Sequence, residues 1–245
     1  MKFVKIPNCP ENAETVLIAQ NTPNSIVDGL KNAGINILFG SYIPYAVNAV
    51  SCHIDTQIAY LGEGDFVVHP SLLEYYNKIL PDAYILAGKS SAHGTYPDDI
   101  AYNIASNGKY AIHNFNFTDE LIKNKVKGEM IQVSQGYSKC SLCIVNENSF
   151  ITEDEGIANT LKRHNIDVLK ISEGDVMLPG LDYGFLGGAS GKISKNIIAF
   201  SGNISRHRDY KKIYNFCAER NVELLSLSDE KLIDVGSIVP VIEKE

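Results

Sequence analysis

The stretch SFITEDEGIANTLKRHNIDVLKI, residues 149–171, decides how the chain reads. Ser149-Phe150-Ile151 is a short apolar strand. Thr152-Glu153-Asp154-Glu155 then has the spacing of a capping box, in which the Thr hydroxyl and the Glu three residues on satisfy two orphan amides of a starting helix. Ile157 and Leu161 lie on one face of that helix, and Val168 to Ile171 form a second apolar strand. The unit is strand, capped helix, strand.

The same unit recurs on both sides. Upstream, Thr15-Val16-Leu17-Ile18-Ala19 leads to Thr22-Pro23, a cap followed by Pro at the first helical position. Ile26, Val27, Leu30 and Ala33 give that helix its apolar face, Gly34 ends it, and Ile35 to Phe39 form its strand. Phe66-Val67-Val68 and His69-Pro70 open a second unit, whose helix carries Leu72, Leu73, Tyr76 and Leu80 and whose strand is Ala83 to Ala87. Tyr110-Ala111-Ile112, a cap at Thr118 and the strand Met130 to Val133 make a third. Downstream, Ile197 to Phe200, a cap at Ser205, a helix through Tyr210, Ile213, Tyr214 and Cys217, and the strand Val222 to Leu227 make a fifth.

Five units at spacings of roughly 40–55 residues are the mark of a repeat fold with one supersecondary unit per repeat. Each leaves an apolar face that only a neighbour can cover, in an open stack or a closed ring. The first unit lacks an innermost strand, and Ile238-Val239-Pro240-Val241-Ile242 can supply it. The expectation is therefore an α/β class fold of one domain spanning residues 1–245: a five-bladed, pseudo-symmetric α/β-propeller closed by the C-terminal strand pairing with the N-terminal blade. A doubly wound sheet fits the periodicity but not the grouping of strands in threes.

Composition narrows the function. The chain has 245 residues, 44% of them hydrophobic, and a net charge of −7. That acidic balance argues against nucleic acid as a partner. The cluster Arg206, Arg208, Lys211 and Lys212, beside Asp209, reads as a solvated helix face. Residues 1–9 contain Pro7 and no long apolar run, so neither a signal peptide nor a membrane span is expected. Five cysteines without framework spacing suit a reducing compartment, and the cytoplasm is the expected location. The sequence sets no oligomeric state.

Two segments carry a resemblance. Ile171-Ser172-Glu173-Gly174-Asp175-Val176 with Gly187-Gly188-Ala189-Ser190, and His53-Ile54-Asp55-Thr56 with Val67-Val68-His69-Pro70, resemble the Glu-Gly-Gly-Asp and His-x-Asp motifs of the guanidino-group-modifying enzymes, the pentein propellers. Gly136-Tyr137-Ser138-Lys139-Cys140-Ser141, Leu178 to Phe185 and Gly236-Ser237-Ile238-Val239-Pro240 are similar to recurring segments of a bacterial branch of that fold. The resemblance implies a hydrolase or amidinotransferase-like enzyme acting on a guanidino or amidino small molecule in a central pocket, without a cofactor or metal. The chain departs from the pattern in two ways. No Cys follows Cys217, although the family's nucleophile lies near the C-terminus, and His-x-Asp precedes Glu-Gly-Asp. A non-catalytic module binding a small molecule or protein on the same fold is the alternative.

Candidate site residues follow. His53 and Asp55, two apart on an expected strand, share a face with side chains roughly 6–7 Å apart. His53 suits general acid–base chemistry and Asp55 a cationic group; a structural His-Asp pair at a strand end is the other reading. A metal-dependent hydrolase would take them as two ligands, with no third in view. Cys140 and Cys143, in an expected strand Lys139 to Val145, point to opposite faces. Cys140 is then either a central nucleophile or a buried core thiol. The resemblance makes Glu173 and Asp175 substrate-binding carboxylates; alone they read as turn residues. Asp182 and Asn103, with Asp98-Asp99, are further polar candidates at the centre. Tyr183 to Gly188 lacks the spacing of a phosphate loop and reads as tight backbone near the centre. His69, His113, His164 and His207 read as capping or exposed, and His93 as surface.

Overall fold

A computed structural model describes residues 2–43, 47–91 and 94–244. His93 lies outside the described residues.

Among the described residues, fifteen strands form five three-stranded sheets. Blade 1 contains β1 (Ala13–Ile18), helix α1 (Asn24–Asn32) and β2 (Asn36–Phe39). Blade 2 contains a short helix α2 (Ile54–Gln57), β3 (Ile58–Gly62), β4 (Asp65–Val68), α3 (Leu73–Ile79) and β5 (Tyr84–Ala87). Blade 3 has β6 (Ala105–Ser106), β7 (Tyr110–His113), α4 (Glu120–Lys125) and β8 (Glu129–Gln132). Blade 4 has α5 (Ser138–Ser141), β9 (Cys143–Ile144), β10 (Ser149–Thr152), α6 (Glu155–Arg163) and β11 (Asp167–Lys170). Blade 5 has β12 (Ser190–Ser194), β13 (Ile197–Phe200), α7 (Tyr210–Ala218) and β14 (Glu223–Ser226), and the chain ends on β15 (Val239–Glu243).

Every blade obeys one rule. The middle strand pairs antiparallel with an inner strand and parallel with an outer one. A parallel neighbour needs a crossover, which is why a helix follows each middle strand. Middle strands such as Phe66-Val67-Val68 and Ile198-Ala199-Phe200 are buried along their length, as strands covered on both faces must be. The tail completes blade 1: β15 pairs antiparallel with β1, Val239 opposite Leu17, as the missing inner strand required.

The ring is knit where the chain enters each inner strand. Lys139 N donates to Asn103 O (3.1 Å), Gly188 N to Cys140 O (2.8 Å), Ser237 N to Gly188 O (2.8 Å) and Asp55 N to Gly236 O (3.3 Å). The Asn103 side-chain amide donates to Asp55 at 3.0 Å and closes the circuit between blades 3 and 2. The far ends of the inner strands are crossed by residues 3–12. Phe3 bridges to Ile242 and Asn12 to Ser194, and Asn8 Nδ2 donates to Ser106 O at 2.8 Å. Apolar side chains fill the space between sheets and helices, with Tyr76, Phe66, Phe150 and Phe200 among the largest fully buried.

Local chemistry corrects several expectations. Asp154, rather than Thr152, caps α6 by accepting from Ile157 N at 2.7 Å. Asp119, rather than Thr118, caps α4, accepting from Leu121 N. Asn203 caps the turn at Ile204–Arg206, where Ser205 was expected to act. In each case an Asp or Asn within two residues of the expected one takes the amide, a competition that spacing alone does not resolve. His113 is a buried strand residue whose ring bridges Thr118 and Gly136 O, and burial lowers its pKa to about 4. His207 is buried as well. Among the described residues no helix is long and apolar enough to cross a membrane.

Candidate active site

The knitted end of the ring holds a polar cluster, built by the segments that enter the inner strands. Two of these were expected to be strand and are single helical turns: α2 starts directly after His53 and carries Asp55, and α5 carries Cys140. The turns bring side chains closer than an extended chain would. One ligand atom each from His53, Asp55 and Cys140 lies within 4.8 Å of the others, and all three residues are buried.

Asp55 is the hub. Its Oδ2 accepts from the Cys140 thiol at 3.0 Å and from the Ser237 hydroxyl at 2.6 Å. Its Oδ1 accepts from Asn103 Nδ2, which also approaches Cys140 Sγ at 3.3 Å. Asn103 cannot rotate away, because its Oδ1 accepts from the backbone of Lys139 (2.8 Å) and Cys140 (3.3 Å). The buried Lys139 ammonium donates to Ser237 Oγ at 3.0 Å, so Ser237 links a cation to the Asp55 carboxylate. Ser237 sits at φ 75°, a left-handed conformation that costs a non-glycine residue on the order of 1 kcal/mol or more.

Burial pushes the Cys140 thiol well above its ordinary pKa, and the carboxylates Asp55 and Asp234 add to the rise. Without a ligand the sulfur is a protonated thiol donating to Asp55. His53 Nδ1 faces Asp234 Oδ1 at 3.7 Å, too far for a hydrogen bond, and has no other partner among the described residues. Asp234 is held by the amides of Phe185 (3.0 Å) and Gly236 (2.9 Å), while burial raises its pKa. Gly188 permits this packing, since a Cβ there would lie 2.1 Å from Asp234 Oδ1. The Gly-rich segment is thus tight backbone at the centre, as its composition suggested.

Above His53, Cys140 and Asp234 opens a cavity of about 390 Å³, within the range of small-molecule sites. Two pairs of rings line it: Tyr96 against Tyr137 (5.7 Å between centroids) and Tyr183 against Phe185 (6.2 Å). Leu178 and Leu181 add apolar surface, and Asp182 lines the cavity from an exposed position. Tyr137 donates its hydroxyl to the buried Asp99, whose pKa burial raises.

The sequence candidates divide accordingly. His53, Asp55, Cys140 and Asn103 come together, and Asp182 joins them as a lining residue. Glu173 stays exposed and accepts from the Tyr183 hydroxyl at 3.1 Å. Asp175 is separate: it ion-pairs with Arg208, because the turn at Gly174 directs it to the start of α7 rather than to the cavity. Asp234 and Ser237 went unassigned in the sequence. Their signal was the pseudo-symmetry itself, since Asp234-x-Gly-Ser237 enters inner strand β15 as His53-x-Asp55 enters β3. Cys143 packs in the core behind blade 4. His53, Asp55 and Cys140 offer nitrogen, oxygen and sulfur donors that could surround a metal ion. Asn103 and Ser237 already aim hydrogens at the same oxygen and sulfur atoms, an arrangement that suits anions sharing donors better than a cation's ligands.

Comparison with known proteins supports this architecture. No curated protein matches the sequence. Among solved structures, the inosamine-phosphate amidinotransferase of Streptomyces griseus aligns over 100% of this chain and 98% of its own, with TM-score 0.62 and 10% identity. DDAH from Pseudomonas aeruginosa, in complex with citrulline, aligns over 89% and 93%, with TM-score 0.56 and 7% identity. SxtG, an amidinotransferase from Microseira wollei, aligns over 95% and 96%, with TM-score 0.52 and 8% identity. At such identities the likeness is one of fold, that of the pentein α/β-propellers. In sequence, a family model matches residues 17–239, and the chain belongs to that family of unknown function, DUF6873.

Proposed function

We propose that this protein is a thiol-dependent hydrolase or transferase acting on a guanidino or amidino small molecule, with Cys140 as nucleophile. The observation that carries the proposal is the convergence of Cys140, His53 and the buried carboxylate Asp234 at the floor of one cavity, with a second buried carboxylate, Asp55, behind the thiol. A planar amidinium seated over Asp234 is recognised by charge and hydrogen bonds. Burial, with the field of Asp55 and Asp234, holds the thiol protonated; the ligand's positive charge offsets that field, so ligand binding itself favours the thiolate.

Cys140 Sγ then bonds to the amidinium carbon, and its proton passes to His53. The C–N bond breaks as His53 returns that proton to the departing amine. Water, or an acceptor amine in a transferase, displaces the sulfur, giving a urea-type or new guanidino product and restoring the thiol. Asn103 fixes the orientation of Asp55 and the thiol, and Ser237 with Lys139 balances the Asp55 charge. Incubation with guanidines and amidines should release ammonia or amine, and Cys140→Ala should abolish the release while leaving the melting temperature within a few degrees. Unchanged turnover in Cys140→Ala would refute the thiol mechanism.

One observation favours a second reading, a non-catalytic binder: the unliganded thiol is unactivated. A binder would be stabilised in thermal-shift assays by an amidinium compound recovered chemically intact from wild-type protein.

A further inference from the structure

The charge and shape of the cavity above Cys140 narrow the ligand further. Apart from His53, its charged side chains are carboxylates. Asp234 lies at the floor, with Asp55 behind the Cys140 thiol; Asp182 lines an exposed part of the cavity; and Glu173, outside the lining, accepts from the hydroxyl of the lining residue Tyr183. His53 is the one basic side chain in the lining given by the described residues, and it faces Asp234. The lysine nearest this chemistry, Lys139, is committed to Ser237, and Arg208 is committed to Asp175. The undescribed residues 44–46 and 92–93 contain neither Lys nor Arg.

Between floor and rim the walls are apolar. The Tyr96–Tyr137 and Tyr183–Phe185 ring pairs, with Leu178 and Leu181, present aromatic and aliphatic surface. A guanidino amino acid entering with its cationic head toward Asp234 would bring its carboxylate against those walls and toward Asp182. There it would lose water without gaining a cationic partner, and like charges would repel. A ligand with an apolar or aromatic body would cover the same walls favourably, and its cationic head would also meet ring faces.

We infer that the pocket selects carboxylate-free amidinium or guanidinium compounds with an apolar body over guanidino amino acids. The inference rests on the cationic-ligand reading above and specifies its substrate class. Asp182 is the specificity-determining residue, because it places negative charge where a carboxylate tail would lie.

The test is isothermal titration calorimetry on the full chain bearing Cys140→Ser, which prevents turnover, with benzamidine, phenylguanidine and arginine as probes. Benzamidine and phenylguanidine should bind about tenfold or more tighter than arginine, a difference of about 1.4 kcal/mol. Adding Asp182→Lys should narrow that ratio by strengthening arginine and weakening the other two. Asp182→Asn, milder at this exposed position, should shift it in the same direction, and circular dichroism verifies folding of both. Arginine binding as tightly as benzamidine, or a ratio unmoved by either substitution, would overturn the selectivity while leaving the cationic site standing. Failure of all three probes to bind would overturn both.

Discussion

At the scale of single residues, buried charge governs this protein. Glu153 is buried, with one oxygen accepting from Leu186 N at 2.8 Å and the other unpartnered among the described residues. Burial raises its pKa from 4.5 to about 8, with Asp234 contributing in the same direction. Between those values the folded chain keeps a proton that the unfolded chain has released, so stability falls as pH rises through the window. Glu153→Gln keeps the acceptor for Leu186 and removes the titration. Urea unfolding across that pH range should show a flattened dependence and a more stable variant at the alkaline end; an unchanged profile would place the effect in another group. His53, Asp55, Asn103 and Cys140 were legible in the sequence because chemistry-bearing residue types stood at inner-strand entries. Asp234 and Ser237 were not, because a lone Asp or Ser before an apolar strand looks like any turn until the ring gathers five such entries.

Elements follow the pattern of the chain closely, and their departures lie at the site. All five middle strands and the helices that follow them sit where apolar runs and breakers put them. The segments carrying His53-Asp55 and Cys140 were expected to be extended and instead form single turns. The short mixed sequences there, His53-Ile54-Asp55-Thr56 and Ser138-Lys139-Cys140-Ser141, fit either conformation, and the turns are tied to neighbouring blades by Asp55 N donating to Gly236 O and Lys139 N to Asn103 O. Gly188 is where this packing is tightest. Gly188→Ala should cost about 1–3 kcal/mol by forcing Asp234 aside and should weaken amidinium binding in parallel. Denaturant melts and calorimetry on one preparation would test both effects, and retention of full affinity would show that Asp234 does not hold the ligand. The closing strand has its own signature. Val239, Val241 and Ile242 of β15 pack in an apolar cluster between blades 1 and 2. A chain ending at Asp234 should lose its cooperative unfolding transition, because β1 is left without its inner partner and the ring without its seam. A sharp transition of unchanged midpoint would mean that the ring closes without β15.

At the scale of the whole molecule, the architecture explains why one end is chemical and the other structural. All five inner strands begin at the knitted end, so each blade can deliver one or two side chains to a common centre. Residues 3–12 cover the opposite end, with Tyr60 donating its hydroxyl to Val4 O and Lys192 donating to Val145 O and Lys195 O at 2.7 Å. The site is therefore reached from one side, through the aromatic walls. Five similar units were readable from the sequence because each repeats one pattern of strand, helix and strand. Which residues meet at the centre was not, because that depends on ring closure across segments far apart in the chain, such as the contact of Asp55 with Ser237.

The proposed chemistry requires an amidinium ligand and the Cys140 thiol to meet in this cavity. The most direct measurement is the rate at which Cys140 is alkylated by chloroacetamidine and by its neutral isostere chloroacetamide, read by peptide mass mapping with Cys9 and Cys52 as internal references. Chloroacetamidine should modify Cys140 selectively and much faster than chloroacetamide, because only the cation is drawn to Asp234 and eases ionisation of the thiol. Equal rates for the two reagents, or modification confined to Cys9 and Cys52, would contradict the claim.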